Sequence, residues 1–422
     1  MIDASVIVAT VVMLALLFLK IPVFASILGA CFTYFAMNPD VNVVIAAQRI
    51  TSGVESNSLL ACPFFIMAGV FFNYTGVTDR LVDFCSIATG RMTGGLAQAN
   101  ILLSTIMGGM SGSSNADAAM EAKILVPAME RSGMSKAFST VITSVSSIIT
   151  PLIPPGIGMI LYGTLAGASI GNLFMWGLGI GVLMCVTMIV MTEVIAKKRG
   201  YKPYLEKRPT IREIGGVFKS SWPALVLPVI IIGSIRIGAV SPAEAGGVAV
   251  IYSIILGLVW KELNVNKIVV SLRESAVSVG NLMLIVAAAA IYSWILTKEQ
   301  VPQALATIML QYVSNKYVFM LVVNLFLIVA GMLMSGTALT IILVPLLAPI
   351  AQSYGIDLVH FGMVFTYNLS LGGITPPVGT LMFTTCGVTG CKLKDFIVEC
   401  IPWYGYMVVF LFALTYLPFL FL

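Results

Sequence analysis

The chain has 422 residues, of which 59% are hydrophobic and 10% are charged, and its mean hydropathy is +1.01. Soluble domains carry about 25% charged residues, so this composition excludes a water-soluble fold and indicates an integral membrane protein. The net charge of +5 does not indicate nucleic-acid binding, because residues 197–219 hold eight basic and two acidic side chains and the rest of the chain is slightly acidic.

The predicted membrane spans begin at the N-terminus. Asp3 precedes the first apolar run and Lys20 follows it, whereas a cleaved signal peptide carries its positive charge before the run. We therefore expect a retained helix whose C-terminal end is cytoplasmic. A spanning helix needs about 20 apolar residues, and candidate spans lie at 4–19, 21–37, 59–76, 136–170 (interrupted), 172–196, 222–238, 243–260, 276–297, 359–388 (interrupted) and 401–421.

Two further apolar segments, 95–131 and 317–353, are predicted to be re-entrant hairpins. Each runs for about 37 residues, and glycine and serine interrupt both segments at their centres. Two half-length helices fit such a segment better than one full span does.

Basic residues favour cytoplasmic loops, so the basic segment 197–219 is expected in the cytoplasm. Counting spans from it places the other basic loops on the same side. The count also puts the base of the first hairpin on the cytoplasmic side and the base of the second on the opposite side.

The two halves of the chain resemble each other at an offset of about 220 residues. Met-Ser-Gly-Ser at 110–113 matches Met-Ser-Gly-Thr at 334–337, and both halves continue with Leu-Val-Pro and then Pro-Pro. Opposed hairpins and a repeated motif order predict inverted repeats, a recurrent design of secondary transporters.

The predicted fold is therefore an all-α polytopic membrane protein with inverted repeats, two re-entrant hairpins and two broken transmembrane helices. The predicted division is a first repeat 1–196 (scaffold helices in 4–76, hairpin 95–131, broken helix 136–170), a basic cytoplasmic linker 197–221, and a second repeat 222–422 (scaffold helices in 222–297, hairpin 317–353, broken helix 359–388, last helix 401–421).

Each half has two polar interruptions inside apolar sequence. The hairpin tips 108–115 and 334–337 are rich in hydroxyl groups, and the breaks 150–156 and 372–377 contain prolines that cannot continue a helix. Transporters of this design bind cations at unwound backbone and anions at half-helix N-termini. A tip that faces a break offers hydroxyl and carbonyl oxygens, which suit Na⁺ better than a soft metal. We therefore expect two Na⁺ sites with an anionic substrate between them.

Other polar residues are less decisive. Asp117 and Glu121 share one face of a hairpin helix, and they either cap that helix or act near the first cation site. Glu244 is expected to be a helix cap and His360 a satisfied interfacial group. The seven cysteines are expected to be apolar fillers. No metalloprotease motif, P-loop or nucleophile–base pair occurs in the sequence, so no enzyme is predicted.

The order of motifs resembles the large membrane subunit of tripartite ATP-independent periplasmic (TRAP) transporters. The resemblance covers nearly the whole chain and rests on S-G-S-S, L-V-P, I-P-P-G, a basic linker, M-S-G-T-A-L, a second L-V-P and G-G-I-T-P-P-V-G. It departs at Ser335, where many family members carry an acidic residue.

The resemblance implies an elevator-type transporter in which both hairpins and both broken helices slide against a scaffold. Together with the tips and breaks, it implies a first Na⁺ site at Ser111, Ser113, Asn115, Thr150, Ile153 and Pro154. It implies a second Na⁺ site at Ser335, Gly336, Thr337, Gly372, Thr375 and Pro376. The expected substrate contacts are Ser114, Asp117 and Ser335.

The function implied by the resemblance is Na⁺-coupled uptake of an organic acid, such as a C4-dicarboxylate, sialic acid or a related sugar acid. The implied partners are a periplasmic substrate-binding protein and a small membrane subunit of about four helices, in a bacterial inner membrane, with no organic cofactor. The alternative is a stand-alone Na⁺/dicarboxylate symporter of the same superfamily. A channel is a weaker alternative, because closed re-entrant segments do not favour a continuous pore.

Overall fold

The structure is a computed structural model that describes residues 3–56, 58–205, 207, 209–313 and 315–420. Over these ranges the chain is built from α-helices and contains no strand, only an isolated bridge between Thr93 and Pro203. The predicted all-α class is therefore confirmed.

Ten α-helices form the first half of the chain and lead into the basic segment. They are α1 (Ala4–Phe18), α2 (Val23–Met37), α3 (Val44–Val54), α4 (Ala61–Tyr74), α5 (Val77–Thr89), α6 (Gly95–Ser111), α7 (Ser114–Arg131), α8 (Lys136–Ser146), α9 (Ile157–Ala166) and α10 (Ile170–Lys198).

Nine α-helices follow in the second half. They are α11 (Ile211–Arg236), α12 (Pro242–Val259), α13 (Val265–Lys298), α14 (Val301–Tyr312), α15 (Lys316–Leu333), α16 (Gly336–Ser353), α17 (Leu358–Gly372), α18 (Thr380–Thr389) and α19 (Leu393–Tyr416).

The described helices are those of a multi-pass membrane protein. Seven are long and apolar enough to cross a membrane, and the number rises to nine if each of two bent pairs counts as one span. One bent pair is α4 with α5, at 74°, and the other joins 136–152 to α9, at 41°.

Two helices begin before the apolar spans that were predicted within them. α11 begins at Ile211 rather than at 222, because Thr210 and Glu213 form a capping box that starts the helix inside the charged sequence. α13 begins at Val265 rather than at 276, where the Asn264 side chain accepts a hydrogen bond from the Lys267 backbone N–H, 2.8 Å away. Charged residues hid both helix starts from a search for apolar spans.

Three helices were not predicted at all. α3 has no buried residue, α5 carries charged residues at Asp79, Arg80 and Asp83, and α14 has only 12 residues, so none of them reads as a span. The capping role predicted for Glu244 is confirmed, since it forms a capping box with Ser241 at the start of α12.

Two groups of helices pack closely within themselves, and contacts of α4 with α6 and of α13 with α16 connect the groups. One group joins α1 to α2, α4 to α12, and α13 to α2, α3 and α4. The other group contains both hairpins, α6–α7 and α15–α16, together with the broken helices that follow them. In this second group α7 packs on α18 and α16 packs on α9, so each hairpin contacts the broken helix of the other half of the chain. The division into inverted repeats stays a prediction.

Candidate functional site

The first hairpin tip lies against the first break. α6 ends at Ser111, and Gly112 then turns the chain with φ +59°, a left-handed conformation that favours glycine. The break lies between α8 and α9 and holds a short 3₁₀ turn over Thr150–Leu152. A Cβ placed on Gly108 would lie 2.9 Å from the Thr150 carbonyl oxygen, so the backbone of the tip lies directly against the backbone of the break.

Prolines expose oxygen atoms in this break. Pro151, Pro154 and Pro155 have no N–H group, so carbonyls four residues before them lose their helical donor. A Cβ on Gly112 would lie 2.8 Å from the Pro155 carbonyl oxygen. Free carbonyl oxygens therefore lie next to the hydroxyl-rich tip.

The second tip and break show the same closeness between other helices. The second tip separates α15 from α16, and the second break separates α17 from α18. A Cβ on Gly372 would lie 2.6 Å from the Gly331 Cα atom. Carbonyls in this break have donors, since Thr375 accepts from the Gly379 N–H at 3.2 Å and Ile374 accepts from the Tyr404 hydroxyl at 2.9 Å. Each such oxygen still has a second lone pair.

One small polar cavity lies between the two tips. Its volume is about 140 Å³. The residues that line it are Gly112, Ser113, Ser114, Asn115, Pro151, Ile157, Gly158, Ser335, Gly336, Thr337, Thr340, Thr366, Leu369, Ser370, Gly373, Thr380 and Leu381.

Four helix N-termini meet at this cavity. The first residues of α7, α9, α16 and α18 all line it. None of the four N-cap residues (Ser113, Gly156, Ser335 and Gly379) makes a side-chain capping hydrogen bond. Backbone N–H groups at a helix start have no partner within the helix, and the helix dipole adds positive potential there. At α18 the Leu381 and Met382 N–H groups donate to the Gly373 carbonyl, at 2.8 and 3.3 Å. The starts of α7, α9 and α16 have no such partner, so they make the cavity suited to a negatively charged group.

The predicted site residues divide between the cavity and the layer behind it. Six of them line the cavity: Ser113, Ser114, Asn115, Ser335, Gly336 and Thr337. The others lie outside its lining: Ser111, Asp117, Thr150, Ile153, Pro154, Gly372, Thr375 and Pro376. Among the described residues, no three His, Cys, Asp or Glu side chains gather into a metal-binding group.

The two hairpin carboxyls lie in a buried polar layer beneath the first tip. Ser113, not Asp117, is the N-cap of α7. The Thr150 hydroxyl donates to Asp117 Oδ2 at 3.1 Å, so Asp117 ties the hairpin to the first break. Glu121 is fully buried, and its Oε2 atom lies 2.7 Å from the Ser104 hydroxyl oxygen. Of the two interpretations of Asp117, the contact with Thr150 favours a role near the first tip.

Several residues of the cavity were missed from sequence. Thr340 lines the cavity because it lies one helical turn after Gly336 and so shares a helix face with the second tip. Thr380 begins α18, and the proline-rich break before it was the available signal. Thr366 and Ser370 lie inside α17, where nothing in the local sequence distinguishes them from buried filler.

A larger cavity lies elsewhere and has a different character. It has a volume of about 770 Å³ and separates α1 and α13 from the second hairpin. Its lining is apolar except for Thr10, Lys20 and Tyr292, and the Thr10 and Tyr292 oxygens lie 2.8 Å apart. Nothing in this lining suits a small polar solute.

Comparison with known proteins identifies the family. The family described as the tripartite ATP-independent periplasmic transporter, DctM component, matches residues 10–420. The sialic acid TRAP transporter large permease protein SiaM of Vibrio cholerae is 35% identical, over 89% of this chain and 88% of that protein. The C4-dicarboxylate TRAP transporter large permease protein DctM of Pseudomonas aeruginosa is 36% identical, over 93% of this chain and 91% of that protein.

A solved structure agrees on the fold. Neisseria gonorrhoeae MtrF superposes with a TM-score of 0.58 at 11% identity, covering 88% of this chain and 83% of that chain. The family match over almost the whole sequence, and relatives that are permeases rather than enzymes, confirm the resemblance drawn from the motifs. The chain is a large permease protein that belongs to the DctM component family of tripartite ATP-independent periplasmic transporters.

Proposed function

We propose that this permease uses a Na⁺ gradient to take up an organic acid that a periplasmic binding protein delivers. The observation that carries this proposal is the meeting of four helix N-termini at one small cavity, three of them (α7, α9 and α16) without a capping partner. Such termini bind carboxylates and phosphates through backbone N–H groups and the helix dipole. The relatives named for sialic acid and C4-dicarboxylate favour a carboxylate.

Na⁺ is proposed to bind where each tip meets a break. At the first site, the carbonyls of Thr150, Ile153 and Pro154 and the polar side chains of Ser111, Ser113 and Asn115 would hold the ion. The Thr150 carbonyl, which Pro154 leaves without a helical donor, and the backbone approach at Gly108 support this assignment. At the second site, Ser335, Gly336 and Thr337 would act with Gly372, Thr375 and Pro376. Bound Na⁺ would supply positive charge beside the cavity.

The two packing groups support an elevator mechanism, in which the hairpins and broken helices move as one unit against α1, α2, α4, α12 and α13. The proposed surroundings are a bacterial inner membrane with the segment 197–221 in the cytoplasm. The proposed partners are a small membrane subunit and a periplasmic binding protein, which the family implies.

Reconstitution tests the proposed function. Proteoliposomes that contain the permease and its small subunit should accumulate radiolabelled acid only with the binding protein outside and an inward Na⁺ gradient. A panel of succinate, N-acetylneuraminate and related sugar acids would identify the substrate. Uptake by the permease alone would contradict the three-part system and favour the stand-alone symporter, and uptake without a Na⁺ gradient would contradict coupling.

Removing one hydroxyl ligand tests each Na⁺ site. Ser113→Ala and Thr337→Ala should raise the Na⁺ concentration for half-maximal thermal stabilisation about tenfold or more, because hydrogen-bonding groups beside a charge contribute about 1.5–3 kcal/mol. Thr384→Ala is the matched control, since the Thr384 hydroxyl donates to its own helix at Thr380. An unchanged Na⁺ dependence in both site variants would contradict the assignment.

A further inference from the structure

The core of the first hairpin contains a carboxyl group that the proposed Na⁺ and substrate sites do not use. Glu121 lies six residues beyond Asn115 on α7, and its relative exposure is 0%. Its Oε2 atom contacts the Ser104 hydroxyl at 2.7 Å, and its Oε1 atom is buried without a hydrogen-bond partner. A buried carboxylate with so few donors is costly unless a cation compensates its charge.

No cation of the described chain compensates it. Of the elements packed on α7, α6 and the 3₁₀ turn carry no charged residue, and α18 carries only Cys386 as a titratable group. On α8, Lys136 pairs with Glu130 at 3.6 Å. Two basic residues lie on α7 itself, Lys123 and Arg131, and both are exposed. The remaining titratable groups near Glu121 are not cations: Asp117 and Glu130 on α7, Cys85 on α5 and Cys185 on α10. No described ion pair includes Glu121.

A metal ion does not fit either. Hard cations take several oxygen ligands, whereas Glu121 has the Ser104 hydroxyl at Oε2 and no polar partner at Oε1. A proton needs no further ligands. It neutralises the carboxyl group and lets it donate one hydrogen bond.

The neighbouring hydroxyls accommodate that donated hydrogen. The Ser104 oxygen lies 2.8 Å from the Ser146 oxygen, and Ser146 lies 3.2 Å from the Thr143 carbonyl oxygen. When Glu121 is protonated, its carboxyl group donates to the Ser104 oxygen, the Ser104 hydroxyl donates to Ser146, and the Ser146 hydroxyl donates to the Thr143 carbonyl. With an ionised Glu121, Ser104 donates to the carboxylate, so either the Ser104–Ser146 or the Ser146–Thr143 hydrogen bond is lost and the buried charge stays uncompensated.

We propose that Glu121 binds a proton, so that the first hairpin contains a buried proton site separate from the two oxygen-lined sodium sites. The bound proton removes the cost of a second buried negative charge one helical turn from Asp117. The proposal does not depend on the transported substrate or on the partner proteins.

Infrared spectroscopy of the purified permease in lipid nanodiscs tests the site, with ¹³C at the glutamate side-chain carboxyls. An ordinary glutamate is ionised at pH 7. We expect a label-shifted C=O band of a protonated carboxylic acid at pH 7, which is lost in Glu121→Gln. Glu130→Gln is the matched control, because Glu130 is on the same helix and partly exposed; it should keep the band.

The labelled wild-type protein decides the question even if Glu121→Gln fails to fold, since Glu121 is the one fully buried glutamate of the described residues. A spectrum with carboxylate bands alone at pH 7 would overturn the proposal. Spectra recorded in Na⁺ and in a large organic cation test whether Na⁺ rather than a proton binds at Glu121. A protonated band that Na⁺ abolishes would assign the group to sodium binding and would equally overturn the proton site.

Discussion

Replacing Thr380 with aspartate is expected to reduce uptake at least 100-fold while leaving the protein as stable as before or more stable. Thr380 begins α18 and lines the cavity. A carboxylate in the first turn of a helix is stabilising by about 0.3–1 kcal/mol. The same carboxylate repels a bound anion 4–6 Å away by about 3–4 kcal/mol at an effective dielectric constant of 20, which weakens binding by two to three orders of magnitude.

The opposite signs of the two effects make this experiment specific. Thr380→Asn is the matched control, because it has the size of aspartate without its charge, and it should retain most of the uptake. Thermal unfolding and uptake are measured on the same preparations. If Thr380→Asp transports as well as Thr380→Asn, the cavity is not the anion site. If Thr380→Asp is strongly destabilised, the helix dipole does not favour a carboxylate at the start of α18.

Replacing Gly372 with alanine is expected to destabilise the protein by about 1–3 kcal/mol and to reduce uptake about tenfold or more. The added Cβ would lie 2.6 Å from the Gly331 Cα atom and 2.7 Å from its carbonyl carbon. These are backbone atoms, so the contact is relieved only if α15 and α17 separate. That separation would move the second tip away from the second break, where the second Na⁺ site is proposed.

Gly387 provides the control on a neighbouring helix. It lies inside α18 with no atom near its would-be Cβ. Gly387→Ala is expected to stabilise the protein by about 0.5–1 kcal/mol, because alanine loses less conformational entropy than glycine in a helix. Chemical denaturation in detergent compares the two variants. Equal stabilities would show that the close approach of α15 and α17 is not required.

The helix bounds within both predicted hairpins could be predicted from sequence almost to the residue. Segments 95–131 and 317–353 correspond to α6–α7 and α15–α16 with ends that differ by one residue at most. Local chemistry decides these ends, because glycine, serine and proline disfavour helix continuation whatever surrounds them. α11 could not be bounded in this way, because its first turns are charged and its start depends on the Thr210–Glu213 capping box.

The composition of the cavity was only partly predictable. The sequence repeats point to both tips, and Ser113 and Gly336 do line one space although more than 200 residues separate them. Thr366 and Ser370 lie on the continuous helix α17, where a hydroxyl gives no local sign of what it faces. Asp117 is buried behind the cavity and is held by Thr150, and its expected contact with substrate stays a prediction.

The amino-acid sequence by itself determined that this is a membrane protein, where its helices break, and which family motifs it carries, because hydropathy and helix breaking are local properties. The tertiary structure alone decided that four N-termini share one cavity. It also decided that Glu121 contacts Ser104, which contacts Ser146, with no compensating cation among the described residues. Those relations depend on how α7, α9, α16 and α18 pack across the two halves of the chain. Packing between distant segments sets both the potential in the cavity and the burial of a carboxyl group, and neither can be read from any single stretch of sequence.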